Sequence, residues 1–186
     1  MKTANRAVAL IFAIILGFGA QIGAAMAQSQ VLDDLFAQLS VADEESWEDV
    51  EKQIWSEWSK SGSKAMDYLL ERGRAEMEKG NVTEAIGHFS ALIDHAPEFA
   101  EGWNARATAW FAADRYGLSI SDIRQTLILE PRHFGALAGL GMIMERMDRP
   151  DAALKVYQEA VKIHPNRPDV QVAVERLKDI VEGVEL

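Results

Sequence analysis

Between residues 66 and 167 the apolar positions form helix-length blocks separated by short polar breaks, and the arrangement recurs every 34 residues. In the last stretch Leu137, Leu140 and Met144 fall at helical spacing, Asp148-Arg149-Pro150 interrupts them, and Ala153, Val156, Tyr157, Ala160 and Val161 resume the pattern. The breaks at Gly80-Asn81 and Asp114-Arg115 stand at matching places, and Pro97, Pro131 and Pro165 close the three stretches. The pattern therefore predicts three helix-turn-helix units, 66–99, 100–133 and 134–167. Each proline stops a second helix, because it lacks an N–H and disfavours helical geometry in the residue before it. Asn81 followed by Glu84 predicts a capped start, the amide oxygen taking an orphan N–H while Glu84 reaches back. One helix pair cannot bury its own apolar face, so copies of this length stack into a solenoid.

Residues 28–65 lie outside the period and read as an N-terminal helical extension. Leu32, Leu35, Phe36 and Leu39 make one short apolar face, and Trp47, Val50, Ile54 and Trp58 make a second. Asp43, Glu44, Glu45 and Glu48 are expected to begin that second helix, where carboxylates favour the positive end of the helix dipole, and Ser61-Gly62-Ser63 to end it. The second helix is expected to pack on the first repeat, with Trp47, Trp55 and Trp58 as core; a stacking site for a sugar or peptide is the sharper alternative. The acidic run from Asp43 to Glu51 reads as a solvated face. At the other end, Val170, Val174, Leu177, Ile180 and Val181 predict a capping helix within a final segment, 168–186, of the kind a solenoid needs where stacking stops.

Small residues occupy one place in each unit's first helix, Gly73, Ala107 and Gly141, and another in the second, Ala85, Ser119 and Ala153. Phe89, Ile123 and Tyr157 follow, and the proline closes all three copies. In these features the chain resembles the tetratricopeptide repeat (TPR) family. The resemblance implies an all-α, TPR-type helix-turn-helix solenoid of three repeats with N-terminal helices and a C-terminal capping helix. Departures concentrate in the first copy: Arg72 and Arg106 stand where the family prefers leucine and Glu76 where it prefers tyrosine, while Trp103 and Trp110 fill the large positions of the second.

In such a solenoid the first helices line a concave surface that holds a peptide or another protein. The resemblance carries this face onto Asp67, Leu70, Arg74 and Met77, then Glu101, Asn104, Ala105 and Thr108, then Gly135, Ala138, Gly139, Met142 and Arg146. The candidate groove residues are Arg74, Asn104, Thr108, Gly135, Gly139, Met142 and Arg146. Arg74 and Asn104 could hydrogen-bond a peptide backbone, and Met142 with the glycines would make an apolar floor. Two glycines in one helix cost about 1 kcal/mol each relative to alanine, so Gly135 and Gly139 point to close approach, by a neighbouring helix or by a bound peptide. A clamp for a terminal carboxylate would need cations where these glycines stand.

Composition narrows the setting. Lys2 and Arg6, the apolar run from Ala7 and the Ala25-Met26-Ala27 ending make residues 1–27 a signal peptide, with an uncleaved membrane anchor as the rival reading. Its removal takes the net charge from −10 to −12, which repels phosphate backbones and argues against nucleic acid as partner. Zero cysteines in an exported chain leave packing as the sole source of stability and favour a bacterial periplasm. His88, His95, His133 and His164 show no metal-ligand spacing and no G-x-S-x-G serine is present, so no catalytic residue, metal site or cofactor is expected. The sequence thus reads as a non-enzymatic periplasmic scaffold or adaptor for a peptide or protein segment, possible roles including envelope protein assembly. The alternatives are a homo-oligomer built through the tryptophan helix or the outer helices and, in another class, a metal-dependent enzyme.

Overall fold

The structure, a computed structural model, describes residues 28–181 and 183. The signal-peptide or anchor segment, 1–27, lies outside them, and no helix among the described residues is long and apolar enough to cross a membrane. Described residues fold as α1 (28–41), α2 (Trp47–Trp58), α3 (Lys64–Glu78), α4 (Val82–His95), α5 (Ala100–Ala112), α6 (Tyr116–Leu129), α7 (Phe134–Arg146), α8 (Pro150–Ile163) and α9 (Pro168–Val181). The three repeats are α3–α4, α5–α6 and α7–α8, each pair packed on the next, and α9 closes the stack on α8.

The turn inside each repeat is built the same way. Gly80, Asp114 and Asp148 occupy the left-handed region, at φ 78°, 56° and 55°. Beyond them, the N–H of Asn81, Arg115 and Arg149 donates to the carbonyl five residues back, on Glu76, Trp110 and Met144. Gly80, Asp114 and Asp148 themselves donate to the carbonyl three residues back, which completes a Schellman ending at every copy. Asn81 does precede α4, but its side chain makes no cap; its Nδ2 donates to Glu76 Oε2 at 2.8 Å instead. That bond and the one from Lys79 hold the Glu76 carboxyl below its usual range, which explains a carboxylate at a place the repeat normally fills with a ring.

Size complementarity sets the distance between the two helices of a repeat. A Cβ on Gly73 would come within 2.2 Å of the Phe89 ring, and one on Gly141 within 2.4 Å of the Tyr157 ring. Where the second copy has Ala107, the facing residue is the slimmer Ile123. Apolar packing divides into a cluster around Leu70, Ala85, Phe89 and Leu92 and another running from Ala107 and Ile123 through α7 and α8 to Leu177. Arg106 lies between members of the two, Ala105 and Ala107, and its guanidinium pairs with Asp122 through two bonds of 2.7 and 2.9 Å and with Ser90 Oγ at 3.2 Å. Arg106 and Asp122 thus form an ion pair at the positions that Leu140 and Val156 occupy one repeat later.

Two corrections concern the N-terminal extension. Asp43, Glu44 and Glu45 precede α2 rather than beginning it, since Asp43 Oδ1 accepts from the backbone N–H of Glu45 and Ser46 and from Ser46 Oγ, closing a turn. Further, α2 does not pack chiefly on the first repeat. Its buried face joins that of α1 over Phe134, at the start of α7, with Ile163 at the edge. Towards the first repeat the hairpin leaves an open cleft of about 870 Å³, bounded by Leu32, Trp58, Met66, Phe99 and Leu129. The reason is shape: the start of α7, with His133, Phe134 and Gly135, and His164 before α9 present rings and a bare helix edge that the indoles cover.

Candidate concave site

The floor of the groove is organised around one buried carboxylate. Glu101, in the first turn of α5, accepts from Arg74 Nη2 at 2.6 Å on α3, from Asn104 Nδ2 at 3.0 Å on its own helix, and from His133 Nε2 at 3.0 Å at the cap of α7. His133 Nδ1 accepts from the backbone N–H of Ala136 at 3.1 Å, so the ring proton resides on Nε2 and is donated to Glu101. One carboxylate therefore ties together the first helices of all three repeats. Asn104 is buried in this network, and Thr108 Oγ1 donates to the Asn104 carbonyl at 3.1 Å. Arg74 is half-exposed and also donates to Ser59 Oγ at 3.0 Å, at the end of α2.

The two glycines separate. At Gly135 a Cβ would lie 2.6 Å from Trp55 Cη2, so close approach is made by a helix of the chain itself. At Gly139 a Cβ would meet only Ile123 Cδ1, at 3.8 Å, an ordinary contact. Met142 is 47% exposed, and Arg146 is exposed with no hydrogen-bond or ion-pair partner among the described residues. Of the seven groove residues, Asn104 is buried in the floor, Gly135 is covered by α2, Gly139 is half-buried, and Thr108, Met142 and Arg146 remain open, with Arg74 at the border.

The covering is aromatic. Trp58 stacks on the His133 ring at 4.0 Å with planes 6° apart, Trp55 meets Trp58, His133 and Phe134 edge-on at 5.2–5.6 Å, and Trp47 meets His164 at 5.3 Å. Polar contacts fasten the rim: Asp33 with Arg132 at 2.8 Å, and Asn166 to the Ala42 carbonyl. Between Trp55 and His164 sits Glu51. Burial pushes its carboxyl up, but His164, the Trp55 Nε1–H and Arg167 outweigh that and hold it below the usual carboxylate range. His133, His164 and Glu51 are the site residues that spacing alone missed, and Glu101 was placed on the inner face without its partners, because each is joined to groups on elements distant in sequence. The signal available for Arg74 and Asn104 was that polar residues of complementary type stood in adjacent copies.

A family model for the tetratricopeptide repeat matches residues 70–123, and a second tetratricopeptide repeat model matches 134–177. A TPR repeat-containing protein of Rhizobium etli is 32% identical over 164 residues, covering 88% of this chain and 80% of the relative. Among solved structures, the first TPR of Spaghetti bound to an HSP90 peptide superposes with a TM-score of 0.61 at 19% identity, over 63% of this chain and 94% of that one. The Yersinia enterocolitica type III secretion chaperone SycD, in complex with a peptide of the translocator YopD, superposes with a TM-score of 0.58 at 15% identity, over 62% and 94%. Likeness at these identities concerns the fold.

Proposed function

Because the chain belongs to the tetratricopeptide repeat family, we propose that it is a non-enzymatic scaffold that holds a peptide or protein segment on its concave face. The observation that carries this reading is the open half of that face: the exposed Met142 and Arg146, which has no hydrogen-bond or ion-pair partner among the described residues, lie beyond a floor already rigidified by Glu101. A thioether that adapts to irregular side chains beside an exposed guanidinium suits an apolar segment carrying an acidic group. Two of the structural neighbours are complexes with peptides, one of HSP90 and one of the translocator YopD. The signal-like residues 1–27 and the absence of cysteine support export to a bacterial periplasm, where the partner would be another envelope protein.

A photoreactive amino acid placed at Met142, and separately at Ile128, exposed on α6, tests the site in cells. Adducts to a defined protein from position 142 alone are expected. Equal adducts from both positions, or none from 142, would sink the concave assignment. Export is checked independently by a phosphatase fusion to the mature chain with and without residues 1–27.

A further inference from the structure

The covered half of the face lies under the chain's own α2, through Trp55 and Trp58. Gly135 supplies the bare backbone edge that an indole requires, His133 the flat surface on which a second indole stacks, and Phe134 and His164 the edges between which the helix is seated. Yet this contact is unevenly satisfied. Among the described residues the buried side-chain polar atoms without a hydrogen-bond partner are Trp58 Nε1, both ring nitrogens of His164 and Arg167 Nη1, all at the seam between α2 and the solenoid; there His164 Nε2 faces Glu51 Oε2 at 3.6 Å, beyond hydrogen-bond distance. Unpaired buried donors and acceptors weigh against the closed state, whereas the repeats themselves carry none among these residues away from this seam. The tether is short and permissive: residues 59–63 include Gly62 at φ 80° with nothing within 4 Å of its Cβ position.

We propose that the cradle of His133, Phe134, Gly135 and His164 is a helix-binding site, occupied by α2 in the resting molecule and taken by an amphipathic partner helix that carries two aromatic rings three positions apart. The placing of Trp55 and Trp58 on α2 defines that chemistry. The inference rests on the scaffold reading above and adds a second, gated subsite to it. Hairpin closure lowers the affinity for any competing helix by the fraction of time the cradle is open; a cradle open about 1% of the time weakens binding about a hundredfold.

The test uses a fluorescent peptide of residues 44–60 as the probe and the full mature chain as the receptor. Because the chain has no cysteine, D33C with R132C gives two thiols at a contact that joins the hairpin to the solenoid, and a short reducible bifunctional reagent locks them. Binding by the reduced form, about tenfold or more tighter than by the same locked protein, is expected, as is a comparable gain on W55A in an otherwise native chain. A peptide with Trp55 and Trp58 replaced by alanine and Trp47 kept should not bind. Equal binding by locked and reduced protein, equal binding by the alanine peptide, or no binding to reduced protein and W55A alike overturns the proposal. A dimer that forms only after reduction would assign the cradle to a second copy's hairpin and overturn the partner-helix reading. Photoadducts at Met142 report the open half separately, so failure of the cradle and failure of the scaffold reading are distinguishable.

Discussion

Gly135→Ala and Gly139→Ala place the same methyl group on the same helix one turn apart, and the structure assigns them opposite signs. Alanine at Gly139, in the interior of α7, gains about 0.5–1 kcal/mol from reduced backbone freedom in the unfolded chain, and its Cβ reaches Ile123 at 3.8 Å without crowding. Gly135 lies in the first turn, so alanine gains less there, and its Cβ would stand 2.6 and 2.9 Å from two atoms of the Trp55 ring. That ring cannot simply swing aside, because its Nε1 donates to Glu51 and its faces and edges meet Trp58, His133 and Phe134. Overpacking of this kind costs about 1–3 kcal/mol. The two variants should therefore differ by about 1.5–4 kcal/mol in stability, the cost at Gly135 falling on the hairpin contact. Urea unfolding followed by far-UV circular dichroism and by tryptophan fluorescence reads this out. For Gly135→Ala the fluorescence midpoint should fall below that of the dichroism, since the indoles of α2 report the hairpin while most of the helical signal reports the repeats. Should Gly135→Ala be as stable as Gly139→Ala by both probes, Trp55 would not sit against α7 and the seating of the hairpin would be wrong.

Other perturbations probe other parts of the molecule. Asp148→Gly relieves a non-glycine residue at φ 55° and should raise stability by about 1 kcal/mol in urea titration. Asp122→Ala leaves Arg106 largely buried without its carboxylate and should cost about 3 kcal/mol, whereas Arg106→Leu with Asp122→Val, the residues found one repeat later, should lie within about 1 kcal/mol of the native chain or above it. Glu51 has a folded pKa below its unfolded value, so its contribution is fully present above about pH 4.5 and is lost as pH falls through the folded value. Acidification should thus lower the fluorescence midpoint of the hairpin, and Glu51→Gln should flatten that part of the profile; an unchanged profile would remove Glu51 from the seam.

What the sequence made legible was everything that recurs. The 34-residue interval placed the turns at Gly80, Asp114 and Asp148 and marked Gly73, Ala107 and Gly141 as recurring small positions and Phe89, Ile123 and Tyr157 as recurring larger ones, because each feature is local and stated three times along the chain; that they face one another came from the structure. The tryptophan stripe of α2 told a different kind of thing. Its periodicity showed that one face is buried but carried no record of what buries it, and the partner proved to be Phe134 and its neighbours, far along the chain. The same holds for Glu101: its place on the inner face was readable, but burial turned it and Arg74, Asn104 and His133 into a closed set of partners instead of an exposed row of hydrogen-bonding groups.

Those two non-local features together decide what kind of binding surface the molecule has. A carboxylate holding three first helices at once makes the floor resistant to change in repeat spacing, since moving any one helix would strand a buried charge. Adaptation to a partner then has to come from elements outside the stack, and the hairpin is the element whose contacts with the stack leave polar atoms unsatisfied. Under the two proposals above, a rigid floor with a displaceable aromatic cover would separate recognition into two steps, first contact at Met142 and Arg146, which are exposed, and then exchange at Gly135, which is covered. Such an order predicts that charge reversal at Arg146 slows association at low ionic strength, while Gly135→Leu leaves first contact intact and removes the slower exchange phase. Stopped-flow mixing of the mature chain with the crosslinked partner, once purified, resolves the two phases, and a single phase equally sensitive to both substitutions would refute the sequence of steps.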